Sequence, residues 1–209
     1  MPLKIGVLIS GSGTNLQSII DSIERGYINA EISVVISNKE NAFGLERAMN
    51  HNINAVYINQ RQYESFGKFN DAIYDVLKNN QVDIVVLAGY LKILSHKLIE
   101  NYKNRIINIH PSLIPSFCGK GYYGIKVHEA AIDYGVKLSG ATVHFVDEGA
   151  DTGPIILQET AKVDYNDTAE SLQKKVLKIE HELLPLAVKL LCENRLEVVG
   201  RKVKIKELN

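Results

Sequence analysis

Leu3-Lys4-Ile5-Gly6-Val7-Leu8-Ile9-Ser10-Gly11-Ser12-Gly13-Thr14-Asn15 is an aliphatic run that stops at a glycine-rich turn. Such a run, apolar with little alternation, predicts a parallel strand buried on both faces. Leu16, Ile19, Ile20 and Ile23 then recur at helical spacing, and Gly26 closes the segment. A strand feeding a helix through a short turn starts an α/β fold. The first N–H groups of that helix, with the positive end of its dipole, favour an anion. Leu16 stands where the dinucleotide fingerprint needs its third glycine, and no Gly-Lys-Ser/Thr follows. The turn therefore suits one phosphate of a small ligand rather than a pyrophosphate. By itself it fits equally well a tight connection in which glycine supplies positive φ.

The alternation continues outward. Residues 31–37 and 55–58 read as strands, 42–50 as a short helix and 61–78 as mostly helical. Residues 82–90 are the best candidate for a central strand, and 95–102 form a helix leading to a short strand over 105–110. Beyond it come a helix over 125–134, a strand over 137–146 and an antiparallel strand from Ile155 after a turn-rich acidic loop. Asp167-Thr168-Ala169-Glu170 has the form of a capping box. It opens a long helix marked by Leu172, Val176, Ile179, Leu183, Leu186 and Leu190, which Pro185 should kink or interrupt. Residues 196–206 suggest a terminal hairpin around Gly200-Arg201.

Bulk properties narrow the function. The chain has 209 residues, with 24 Lys+Arg against 24 Asp+Glu, so it lacks the basic excess of a dedicated nucleic-acid binder. Cys118 and Cys192 are the only cysteines, which argues against a disulfide framework and for a reducing compartment. No signal-peptide pattern or run of 18 apolar residues is present, and a cytoplasmic protein without membrane contact is expected. The six histidines show no metal-ligand spacing, so no metal is expected. No Gly-x-Ser-x-Gly elbow marks a serine hydrolase.

Asn108-Ile109-His110-Pro111-Ser112-Leu113-Ile114-Pro115 ends the strand over 105–110. Residues two apart share a face, so Asn108 and His110 project together where open α/β sheets bind ligands. An amide donor beside an imidazole suits attack on a carbonyl, whose negative oxygen they can stabilise. A bare Asn-x-His also fits a strand end whose side chains merely satisfy loop backbone.

The full string resembles that of the formyltransferase family that uses 10-formyltetrahydrofolate. Three further segments share the likeness: Ala88-Gly89-Tyr90-Leu91-Lys92-Ile93-Leu94, the glycine-rich loop 116–124, and Asp147-Glu148-Gly149-Ala150-Asp151-Thr152-Gly153-Pro154. The likeness runs from the first glycine turn to the long helix. It implies a Rossmann-like, mostly parallel α/β sheet with helices on both faces, an antiparallel strand in the C-terminal part and a long C-terminal helix. It also implies one formyltransferase domain over 1–209. Its N-terminal part, about 1–100, would bind phosphate, and about 84–160 would hold catalysis and folate.

By the same resemblance, Asn108, His110 and Asp151 are catalytic. Gly13, Thr14 and Asn15 hold the phosphate of glycinamide ribonucleotide, and Glu180 contacts that substrate. Leu91, Lys92, Ile93 and Leu94, with Asn108, line the folate site. The reaction implied is formyl transfer from 10-formyltetrahydrofolate, as co-substrate, to the substrate amine in purine biosynthesis. Asp151 should favour a charged His110 and raise its pKa above roughly 6.5. Phe66 stands where many relatives carry a basic folate contact, which leaves Arg61 or Lys68 as substitutes. The loop 116–124 is expected to close over the reaction, and Ile114-Pro115 to be cis. Without the resemblance, Asp151 reads as turn chemistry, Lys92 as an exposed strand end, Glu180 as a polar helix face and Cys118 as a bystander.

Methionyl-tRNA formyltransferase carries a further C-terminal domain and formyltetrahydrofolate deformylase a further N-terminal one. The length of this chain speaks against both. A Rossmann-like nucleotide-binding module without catalysis is disfavoured by the missing third glycine and by Asn38 where an acidic ribose ligand belongs. Oligomeric state is not written in the sequence.

Overall fold

Leu3–Ile9 forms β1, and every residue from Ile5 onward is buried. The remaining strands are β2 (Ala30–Ser37), β3 (Ala55–Tyr57), β4 (Ile84–Leu87), β5 (Ile106–His110), β6 (Leu138–Phe145), β7 (Ile155–Lys162), β8 (Leu196–Val199) and β9 (Lys202–Ile205). The helices are α1 (Thr14–Glu24), α2 (Phe43–Asn50), α3 (Phe66–Asn79), α4 (His96–Asn101), α5 (Ile125–Tyr134) and α6 (Ala169–Cys192). The structure is a computed structural model that describes residues 2–207. It divides into two units, Met1–Ile107 and Asn108–Asn209, with the boundary inside β5.

In the first unit the strand order is β3-β2-β1-β4. β1 is parallel to β2 and β4, and β2 is parallel to β3. The buried face of α1 supplies Leu16, Ile19 and Ile20, and that of α3 supplies Phe69, Ile73 and Leu77. Each such side chain contributes about 1.5–3 kcal/mol when removed from water. A Cβ on Gly6 would lie 2.5 Å from Leu77 Cδ2, so glycine lets α3 close onto β1.

One expectation for this unit is refined and another needs correction. The segment 61–78 is mostly helical, as expected, but in two pieces. A 3-10 turn covers Gln60–Gln62, and α3 starts at Phe66. Ser65 Oγ accepts from Lys68 N at 3.2 Å, and that cap sets the start. The segment 82–90 is strand only over Ile84–Leu87. Ala88 N still donates to Leu8 O at 2.9 Å, but Gly89 then takes φ 77° and turns the chain out.

In the second unit the order is β6-β7-β9-β8. β6 and β7 are antiparallel, as the short acidic connection predicted, and β8 and β9 form the expected hairpin around Gly200. The fold is thus a mixed α/β sheet, mostly parallel, with antiparallel strands and a long helix near the C-terminus. α6 packs on β6 and β7 and buries Leu172, Val176, Leu184 and Val188. Its capping box is built on Thr168 and Ser171 rather than Asp167 and Glu170. Pro185 does not interrupt it: the helix runs unbroken through the proline. Pro185 is itself buried within this packed face, and packing outweighs the one backbone bond its ring removes. Among the described residues no helix is long and apolar enough to cross a membrane.

The acidic loop is held against the end of β6. Phe145 N donates to Pro154 O at 2.9 Å, and a Cβ on Gly153 would lie 1.8 Å from Phe145 O. Gly153→Ala forces these backbones apart and should cost about 1–3 kcal/mol. Urea unfolding measures this, and a wild-type midpoint would show that the loop yields without cost.

Candidate functional site

β5 delivers Asn108 and His110 at its C-terminal end, with His110 only 4% exposed. Pro111 has no N–H to continue the ladder. The chain beyond is fastened by polar side chains of β6 and β7. Thr142 Oγ1 donates to Ser112 O at 2.6 Å and accepts from Ile114 N at 3.1 Å. Gln158 Nε2 donates to Ile114 O at 3.0 Å, and Ile114-Pro115 is cis.

Asp151 arrives on the loop between β6 and β7 with φ 58°, a left-handed conformation that aspartate tolerates better than most residues. Thr152 Oγ1 donates to Asp147 Oδ1 at 2.5 Å and Gly149 N does so at 3.2 Å, which folds the loop on itself. Asp151 then meets four groups. Oδ1 lies 3.4 Å from Asn108 Nδ2 and 3.7 Å from His144 Nε2. Oδ2 accepts from Gly119 N at 2.8 Å and lies 3.5 Å from His110 Nδ1.

Carbonyl partners fix where the ring protons sit. His110 Nε2 is 2.9 Å from Phe117 O, and His144 Nδ1 is 2.7 Å from Phe145 O. A carbonyl only accepts, so each of those nitrogens carries hydrogen. Neutral His144 therefore offers the lone pair of Nε2 to Asn108 Nδ2 at 3.1 Å. With Nε2–H given to Phe117 O, His110 can donate to Asp151 Oδ2 through Nδ1 only when the ring is charged.

The electrostatics correct one expectation. Burial pushes the His110 pKa below its ordinary value, and the opposing charge of Asp151 does not make up the difference. Burial also opposes ionisation of Asp151. The nearby His144 and His110 rings and the Gly119 N–H together outweigh it and hold the carboxyl below its ordinary value. Burial thus weakens the proton affinity of His110, while its neighbours strengthen the acidity of Asp151.

The first unit carries the glycine turn. Gly13 takes φ 70° at the N-cap of α1 and contributes no side-chain cap. Within the described residues no hydrogen bond uses the N–H of Ser12, Gly13 or Thr14. Ser10 Oγ accepts from Leu91 N at 2.9 Å and donates to Asn38 Oδ1 at 2.6 Å. This ties the ends of β1, β2 and β4 together.

The formyl transferase family model matches residues 3–188. The chain belongs to the formyl transferase family. It is 43% identical over 95% of its length to the chloroplastic phosphoribosylglycinamide formyltransferase of Vigna unguiculata, and spans 63% of that relative. It is 41% identical to the phosphoribosylglycinamide formyltransferase of Haemophilus influenzae, covering 93% of this chain and 90% of that one. The crystal structure of glycinamide ribonucleotide transformylase 1 from Symbiobacterium toebii superposes with a TM-score of 0.94 at 43% identity, over 99% of this chain and 95% of that one.

Within this formyl transferase, Asn108, His110 and Asp151 converge as the motif implied. Gly13, Thr14 and Asn15 form the turn and first residues of α1, with Gly13 and Asn15 buried. Leu91, Lys92 and Ile93 are exposed on the segment after β4, whereas Leu94 is buried. Glu180 lies on α6, 8% exposed. Arg61 and Lys68 are both exposed, on the 3-10 turn and the first turn of α3.

Four groups escaped the sequence. His144 reads there as one more residue of an apolar strand, yet it touches both Asn108 and Asp151. Phe117 O and Gly119 N act through backbone, which residue type does not report. His128 looks like part of an ordinary helix, but it is 1% exposed and its Nδ1 has no hydrogen-bond partner. A histidine inside an apolar strand beside an acidic loop was the one signal available for His144.

Burial, with the proximity of His110, pushes the His128 pKa down to about 4. The unfolded chain thus takes up a proton near pH 6.5 that the folded chain refuses until about pH 4. Stability contributed by neutral His128 is complete above that window and is lost as pH falls through it. His128→Gln should remove this loss, which amounts to roughly 3 kcal/mol across the window. Urea unfolding of both proteins at pH 7 and pH 4.5 checks it, and parallel pH slopes would refute it.

Proposed function

We propose that this formyl transferase moves the formyl group of 10-formyltetrahydrofolate to the amine of glycinamide ribonucleotide, in the cytoplasm and as a step of de novo purine synthesis. The observation that carries this reading is the carboxylate of Asp151 within reach of both Asn108 and His110. The whole chain, 1–209, serves as one formyltransferase domain.

The neutral amine attacks the formyl carbon, and its lone pair becomes the new C–N bond. The carbonyl pair moves onto oxygen, where Asn108 Nδ2–H and an N–H of His110 stabilise it, each by about 3–4 kcal/mol when well placed. The His110 Nε2–H is given to Phe117 O at 2.9 Å in this structure, so an oxyanion drawing on that N–H must compete with the carbonyl. Asp151 orients the ring and receives Nδ1–H whenever His110 is charged. The tetrahedral centre collapses by breaking the bond to the folate nitrogen. The proton lost by the amine ends on that nitrogen, relayed by a water beside Asp151.

Gly13, Thr14 and Asn15 are assigned the substrate phosphate, since three successive N–H groups, Ser12 to Thr14, have no partner among the described residues. Glu180 is assigned a substrate contact. Leu91 to Leu94, with Asn108, are assigned the folate, where main-chain groups beside apolar side chains suit a planar, amide-rich ring. No metal enters the reaction.

Purified protein with both substrates should yield formylglycinamide ribonucleotide. His110→Ala and Asp151→Asn should each lower kcat by about 100-fold or more while both substrates still bind. Wild-type turnover in His110→Ala would reject the assignment. Formylation of methionyl-tRNA, or release of formate without an acceptor, would assign the chain to another branch of the family.

A further inference from the structure

The glycine turn is not held by α1 alone. Its two exposed carbonyls are gripped from behind by α2. Gly44 N donates to Gly11 O at 3.1 Å, and Arg47 Nε donates to Ser12 O at 2.9 Å. The two backbones touch: a Cβ on Gly13 would lie 2.6 Å from Gly44 Cα, and a Cβ on Gly44 would lie 2.4 Å from Ile9 Cδ1. Arg47 is itself braced. Its Nη1 donates to Gln17 Oε1 at 3.1 Å, and its guanidinium carbon sits 4.8 Å from the centre of the Phe43 ring.

A trans peptide points its C=O and the following N–H in opposite directions. Fixing Gly11 O toward α2 therefore aims Ser12 N–H away from α2, and fixing Ser12 O does the same for Gly13 N–H. Those N–H groups belong to the set that has no partner among the described residues. We infer that Arg47 is a positioning residue for phosphate recognition: by holding the Ser12 carbonyl it presets the direction of the turn's amide donors.

The inference rests on the reading of this turn as the phosphate site, and goes beyond it by assigning selectivity to a side chain outside the turn. Arg47 acts from behind, through backbone, so its charge alone is not the working part. A lysine keeps the charge but not the rigid fork that reaches Ser12 O and Gln17 together.

The test compares Arg47→Ala and Arg47→Lys with wild type, using glycinamide ribonucleotide and its dephosphorylated nucleoside as acceptors. Both variants should raise KM for the phosphorylated acceptor about tenfold. kcat should stay within about twofold, and KM for the folate should not move. KM for the nucleoside should also be unchanged, so preference for the phosphate falls by the same factor. That ratio reads positioning even where a variant loses thermal stability. A wild-type Arg47→Lys would overturn the inference in favour of simple charge attraction. Equal losses on both acceptors would overturn it in favour of a general structural role. A wild-type protein that does not discriminate between the acceptors would refute the phosphate reading itself, whatever Arg47 does.

Discussion

One carboxylate organises the candidate site of this protein. Asp151 meets Asn108, His144, His110 and Gly119 N within 3.7 Å. Three of these groups come from strands and one from a loop, so the carboxylate joins segments that are distant in sequence. Removing it would leave buried polar groups without their acceptor, which costs more than the net value of any single bond. The surrounding structure is arranged to bring it there. A left-handed aspartate, a glycine against Phe145 O and a loop folded on Asp147 all serve its position.

The same arrangement sets the proton inventory. Backbone carbonyls claim one nitrogen of His110 and one of His144. Burial lowers the proton affinity of His110, and the groups around Asp151 favour its ionised form.

Much of this was legible in the sequence. Hydrophobic runs and glycine punctuation gave the strand–helix order, and Asn108, His110 and Asp151 stood out in local motifs. What the sequence did not carry was the company these three residues keep. His144 lies on β6 where its pairing with β7 shifts register at Val143/His144, and no periodicity announces a shift of that kind. The sign of the His110 shift depends on how much burial outweighs one nearby charge, which distance along the chain cannot tell. Local competition misled in smaller ways. Ser65 capped a helix where apolar spacing suggested continuity, and Thr168 took the cap from Asp167. Packing carried α6 through Pro185.

The hairpin of β8 and β9 bears on how the molecule behaves among its own copies. β8 stands last in its strand order and offers an outer row of backbone donors and acceptors. Such a row can template aggregation by strand addition. Here it is four residues long and carries Glu197, and β9 beside it alternates Lys202 and Lys204 with apolar residues. A short, charged rim gives an incoming strand little length to pair with and several groups to desolvate. The hairpin thereby finishes the sheet in a form that discourages further growth.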